Sequence, residues 1–143
     1  MLDELRKKIK FDQLYSYCQL NNVLAMYLFG SQLAGDNDKF SDLDLGVVFC
    51  SAEKEKLTDV NFYIRFKNGL MDYFDFADID LLFLQNSGLK IAFEVIKRGE
   101  LIYSADKEKR LNYEDMVICR GLDFKMEISL YYEELQEEIL DRR

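Results

Sequence analysis

The sequence predicts an α/β (α+β) fold, a single mixed β-sheet of about four strands flanked by helices, in one domain over residues 1–143. Three observations lead there. Short apolar runs at Val23–Phe29, Leu43–Phe49 and Ala77–Leu84 have strand length and carry turn residues near their ends. Around them, apolar residues recur at helical spacing. No proline, repeat or linker divides the chain, and 143 residues at 49% hydrophobic content suffice for one core and not comfortably for two.

Leu2, Leu5, Ile9, Leu14, Tyr17 and Cys18 trace one face of a helix over residues 3–20, which Asn21-Asn22 ends. Val23–Phe29 is the first strand. Ser31 to about Ala34 reads as a short helix with Ser31 near its N-cap, and Gly35-Asp36-Asn37-Asp38 as a turn. Leu43–Phe49 is the second strand. A helix capped by Ser51 follows, with Leu57, Val60 and Ile64 on its apolar face, reaching Phe66 or beyond and interrupted near Gly69. The segment from Asp72 to Phe76 fits either class. Ala77–Leu84 is the third strand, Asn86-Ser87-Gly88 a turn, and Leu89, Ala92, Phe93 and Ile96 a helix face stopped at Gly99. Leu101–Tyr103 is a short last strand. A helical pattern then runs from Asp106 to about Asp141, with a candidate break at Gly121.

Composition removes several kinds of chemistry. Histidine is absent, so Ser-His and Cys-His catalysis and histidine metal sites are excluded. Cys18, Cys50 and Cys119 are far apart and form no C-x-x-C pair, which argues against a zinc site or a disulfide framework. A net charge of −8 without a basic stripe makes nucleic acid an unexpected main partner. No apolar run reaches membrane-spanning length, and acids stand where a signal peptide needs basic residues. The expectation is a cytoplasmic protein with no membrane association.

The most informative stretch joins the first two strands. Gly30-Ser31 closes the first, residues 32 to 41 intervene, and Asp42-Leu43-Asp44 opens the second. In a strand, residues i and i+2 share a face, so Asp42 and Asp44 would stand side by side. Two carboxylates so placed repel unless one holds a proton or a cation lies between them. Oxygen ligands of this kind suit Mg²⁺, which commonly takes one or two carboxylates plus substrate phosphates. Gly30 lets the backbone approach a ligand closely. Ser31, at a helix start, suits an anion. The plainer reading of each half is an ordinary turn and a solvated strand start.

Gly30-Ser31, ten residues, then Asp42-Leu43-Asp44 resembles the signature of the DNA-polymerase-β-like nucleotidyltransferase superfamily. The shortness of the chain is similar to the minimal nucleotidyltransferases, which are often antitoxin partners of HEPN-domain ribonuclease toxins. The likeness continues through Asp80-Leu81-Leu82-Phe83-Leu84, Phe93 to Tyr103 and Leu122-Asp123-Phe124-Lys125. It implies the polymerase-β type of nucleotidyltransferase fold, with acids of adjacent strands meeting on the exposed face of the sheet. It also implies a third acid, for which Asp80 is the candidate and Asp78, two residues earlier, the competitor. By the same likeness Asp42, Asp44 and Asp80 would be both metal ligands for two Mg²⁺ ions and the catalytic residues. Gly30 and Ser31 would hold the nucleotide, ATP. The implied reaction moves AMP from ATP onto a tyrosine hydroxyl of a HEPN toxin and releases pyrophosphate.

One departure stands out. The family often has x-A-R-G after Gly-Ser, whereas this chain has Gln32-Leu33-Ala34-Gly35, so Ala34 occupies the arginine's place. Lys39, in the same loop, could supply the missing charge to the nucleotide. Two alternatives follow. One is an antitoxin that neutralises its partner by contact, with Met126 to Ile139 as a docking face. The other is a nucleotidyltransferase acting on a small antibiotic.

Overall fold

The computed structural model describes residues 7–30, 43–51, 53–75 and 78–141. The predicted helix at 31–34 and turn at 35–38 lie outside the described residues. The elements are α1 (Phe11–Leu20), β1 (Val23–Phe29), β2 (Leu43–Phe49), α2 (Lys54–Leu57), α3 (Val60–Met71), β3 (Ile79–Phe83), a 3₁₀ turn (Leu84–Asn86), α4 (Leu89–Arg98), β4 (Glu100–Ser104) and α5 (Lys107–Asp141). The four strands form one sheet in the order β3-β2-β1-β4. β1 runs antiparallel to β2 and β4, while β2 and β3 are parallel. The sheet is therefore mixed, as the sequence predicts.

Both sheet faces are covered, which explains why β1 and β2 read as nearly unbroken apolar runs. On one face, Leu14 and Cys18 of α1 and Phe62, Phe66 and Leu70 of α3 pack on Leu43, Leu45, Val47, Ile79 and Leu81. Phe49, Phe62, Phe66 and Phe83 form an aromatic cluster there, with Phe49 and Phe83 edge to face at 5.0 Å. On the other face, Phe93 and Val95 of α4 and Val117 of α5 cover Leu24, Tyr27 and Val48. Burial pushes the Cys18 thiol up to about 12.

Several boundaries differ from expectation. Among the described residues the helix expected over 3–20 is interrupted at residues 8–10, where Ile9 forms a bridge with Phe74, and α1 starts at Phe11. Within the ambiguous 72–76 segment, residues 72 and 73 form a turn and Phe74 makes that bridge, while Phe76 lies outside the described residues. The N-cap of α2 is Glu53 and not Ser51, and the expected single helix is two pieces, parted where the Asp59 side chain accepts from Asn61 N and starts α3. Gly69 does not interrupt α3, and a methyl there would run into the Tyr17 ring. α5 continues through Gly121, where the missing side chain makes room for the ring of Phe93.

α5 is fastened at its start. The Tyr27 hydroxyl donates to Glu114 Oε1 at 2.6 Å, and Arg110 reaches the same oxygen at 2.9 Å. Arg110 Nε also donates to Ser104 Oγ at 3.0 Å, tying the helix to β4. Burial raises the Tyr27 phenol, and its bond to Glu114 raises it further. Beyond Gly121, every residue of α5 from 122 to 140 is exposed.

Candidate active site

The register of the parallel pair sets Asp44 of β2 directly opposite Asp80 of β3. Their neighbours, Leu43 opposite Ile79 and Leu45 opposite Leu81, are buried in the aromatic-rich core. Since side chains alternate along a strand, Asp44 and Asp80 share the opposite face, on strands about 4.8 Å apart. Asp44 is half-buried and Asp80 exposed. Gly46, next along that face, has Leu84 and Val95 packed 3.0 and 3.1 Å from where a Cβ would be. α4 thus presses onto the sheet at Gly46, and the two acids lie past that contact at the start of their strands. Phe29, opposite Asp44 on β1, walls the other side.

Gly30 completes the arrangement. It follows β1 with φ of +88°, a conformation that side-chain-bearing residues rarely adopt. A Cβ at this position would collide with the carboxylate of Asp44. The sequence suggests that Gly30 admits a ligand; in the structure the space a side chain would take there is filled by the Asp44 carboxylate. Of the six residues expected at the site, the fold brings Gly30, Asp44 and Asp80 to one end of the sheet. Ser31, Lys39 and Asp42 lie outside the described residues.

The competitor Asp78 has another task. Its Oδ1 accepts from Ile79 N at 2.8 Å and stands 3.5 Å from Lys67 Nζ, so it braces the start of β3. Asp44 and Asp80 are both oxygen donors, and like charges directly opposed in a sheet are unfavourable without a compensating cation or proton. That donor set fits a hard cation such as Mg²⁺. Among the described residues no group of three acids suited to a metal occurs, and Asp42 is not among those residues.

Other contributors had no signal in the sequence. Gln85 lies just past β3, and its side-chain amide accepts from Phe49 N at 2.8 Å and donates to Phe49 O at 2.9 Å, pinning the far end of β2. The Tyr63 hydroxyl donates to Leu81 O at 2.7 Å and steadies β3 beside Asp80. Phe29 and Gly46 read only as members of apolar runs.

The family model described as Polymerase beta, Nucleotidyltransferase matches residues 12–108. A crystal structure of a toxin–antitoxin with AMP-PNP shares the fold at a TM-score of 0.64 and 17% identity, over 90% of this chain and 99% of that one. A tri-AMPylated Shewanella oneidensis HEPN toxin in complex with MNT antitoxin does so at 0.58 and 16%, over 87% and 94%. The toxin–antitoxin MntA–HepT gives 0.54 and 13%, over 90% and 95%. By sequence, no curated protein matches. Among the described residues, no helix is long and apolar enough to cross a membrane.

Proposed function

From the premise that the chain belongs to the polymerase beta nucleotidyltransferase family, we propose that it moves AMP from ATP to a tyrosine hydroxyl of a partner HEPN ribonuclease toxin, in the cytoplasm, as that toxin's antitoxin. The carrying observation is the opposition of Asp44 and Asp80 with Gly30 against the Asp44 carboxylate. A site for nucleotide chemistry needs clustered acids and a backbone that leaves room beside them. Support also comes from the structural neighbours, one crystallised with AMP-PNP and one with an AMPylated HEPN toxin.

In this reading Asp42, Asp44 and Asp80 hold two Mg²⁺ ions, and Gly30, Ser31 and Lys39 seat the triphosphate. Bound there, the ions would offset the negative charge that builds on the α-phosphate and the departing pyrophosphate. Asp80, exposed on its strand, can accept the proton of the incoming hydroxyl. A bond forms from the tyrosine oxygen to the α-phosphorus, the bond to the bridging oxygen breaks, and pyrophosphate leaves. The chain contributes positioning and charge, with no covalent intermediate on the protein.

A second reading rests on Ala34, which stands where the family often carries arginine: neutralisation by contact alone. The test is to incubate the purified chain with ATP labelled on the α-phosphate, MgCl₂ and the HEPN protein of the same genome. Label on the partner, lost in Asp44→Asn while the complex persists, is the expected result. A stable wild-type complex without label favours contact. Neither label nor complex overturns both.

A further inference from the structure

The inner part of α5 packs through Val117 and Gly121 against α4. At 3.6 residues per turn, the same stripe continues through Phe124, Ile128, Tyr131, Leu135 and Ile139. α4 begins at Leu89, and past Ile128 nothing in the described fold covers the stripe. Tyr131 is 61% exposed, Leu135 38% and Ile139 48%. At the junction lies a cleft of about 190 Å³ whose apolar lining is Leu89, Phe93, Phe124 and Ile128, with Lys90, Glu94 and Lys125 also around it. The free stripe is thus continuous with an established helix–helix interface and has a seat for an apolar side chain at its inner end. Solvated aromatic and aliphatic side chains in one row of this length mark an interaction surface.

Charge selects the occupant. Glu127, Glu134 and Glu138 line one flank of the stripe, Ser129 and Gln136 the other, and no lysine or arginine occurs between Met126 and Asp141. Two copies paired antiparallel would set each flank against its own counterpart, acid against acid. Paired parallel, the acids would meet only serine and glutamine. Lys125 is held over the Phe93 ring at the inner end of the stripe, and neither arrangement of a second copy sets a lysine or arginine of residues 126–141 against these acids. We infer that the outer half of α5 is a docking helix for a different protein, one that lays an apolar helical face flanked by basic residues along it. This rests on the partner in the reading above and adds where that partner binds and by what chemistry.

The experiment compares the wild-type chain, Leu135→Glu/Ile139→Glu, Glu134→Lys/Glu138→Lys and Asp44→Asn, each titrated with the HEPN protein of the same genome at low and high salt. All substituted positions on α5 are solvent-exposed, so helix content and melting temperature should match the wild type, as circular dichroism will check. The inference expects at least a tenfold loss of affinity for both α5 variants, a loss for the charge-reversed pair that shrinks at high salt, and wild-type affinity for Asp44→Asn. Equal affinity for the wild type and both α5 variants overturns the docking site while leaving the transfer reading intact. Loss of labelling with this binding pattern preserved overturns transfer alone. Light scattering that shows a wild-type dimer dissolved by Leu135→Glu/Ile139→Glu would assign the stripe to a second copy and overturn the inference. So would failure of the wild type to bind.

Discussion

The two faces of the β2–β3 pair are built from the same seven-residue and five-residue strands and do opposite things. One face carries Leu43, Leu45, Val47, Ile79, Leu81 and Phe83, all buried. The other carries Asp44, Gly46 and Asp80, of which Asp80 is exposed. Each acid is one residue from a core leucine on either side or, for Asp80, from Ile79 and Leu81. A slip of one residue in either strand would bury a carboxylate and expose a leucine. The burial that folds the sheet therefore also aims the acids, and no separate interaction is needed to direct them. Folding and chemistry are separable by face, which makes the comparison breakable by substitution.

The largest effect is expected from Asp44→Asn or Asp80→Asn. Each should lower the labelling rate on the order of 10³-fold. Asp80→Asn should not reduce stability, since it removes one of two opposed like charges. Leu81→Ala, one position from Asp80 on the core face, should do the reverse. It should cost about 2–5 kcal/mol in urea unfolding while the molecules that stay folded label at close to the parent rate. Gly46→Ala lies between the two. Its methyl would meet Leu84 and Val95 at 3.0 and 3.1 Å, so a loss of about 1–3 kcal/mol is expected as α4 is pushed off, with a modest fall in rate if the acids shift.

The smallest effect at neutral pH, and one that touches both faces, is alkaline sensitivity. Cys18 on one face and Tyr113 on the other are each held protonated by burial, with values pushed up to about 12 from 9.0 and 10.0. In the unfolded chain they lose their protons at the ordinary values. Their contribution is complete below about pH 9 and is lost as pH rises toward 12. Unfolding midpoints should therefore be flat from pH 7 to 9 and fall above that. A flat profile through pH 11 would show that these groups are not buried as described.

Much of this was legible in the residues. The bounds of β1 and β2, the mixed sheet and the acid-bearing starts of β2 and β3 follow from apolar runs bounded by glycine and aspartate. In contrast, β3 stops at Phe83, one residue before the expected end, because Leu84 opens a 3₁₀ turn, and β4 is longer at both ends than Leu101–Tyr103. The convergence of Asp44 and Asp80 is implied by the family resemblance alone. The register that sets them directly opposite is not legible in the residues, because register between strands far apart in sequence depends on how α3 and the aromatic cluster seat them. The break at Asp59 was misread because Val60 and Ile64 continue the apolar spacing across it, while the local bond from Asn61 N to the Asp59 side chain starts a new helix. Gly121 was read as a breaker because glycine is poor in exposed helices. Here the close approach of Phe93 outweighs that preference. Asp78 and Asp80 were indistinguishable by spacing, and only the bonds of Asp78 to Ile79 N and toward Lys67 separate brace from site.

The central claim is that Asp44 and Asp80 act as one site. Binding of Mn²⁺ in place of Mg²⁺, in the presence of ATP and followed by electron paramagnetic resonance, tests it without relying on a partner protein. The account predicts bound Mn²⁺ for the wild type and a loss of at least tenfold in affinity for Asp44→Asn and for Asp80→Asn, with Asp78→Asn unchanged. Wild-type affinity in Asp80→Asn, or a loss in Asp78→Asn equal to that in Asp44→Asn, would contradict it.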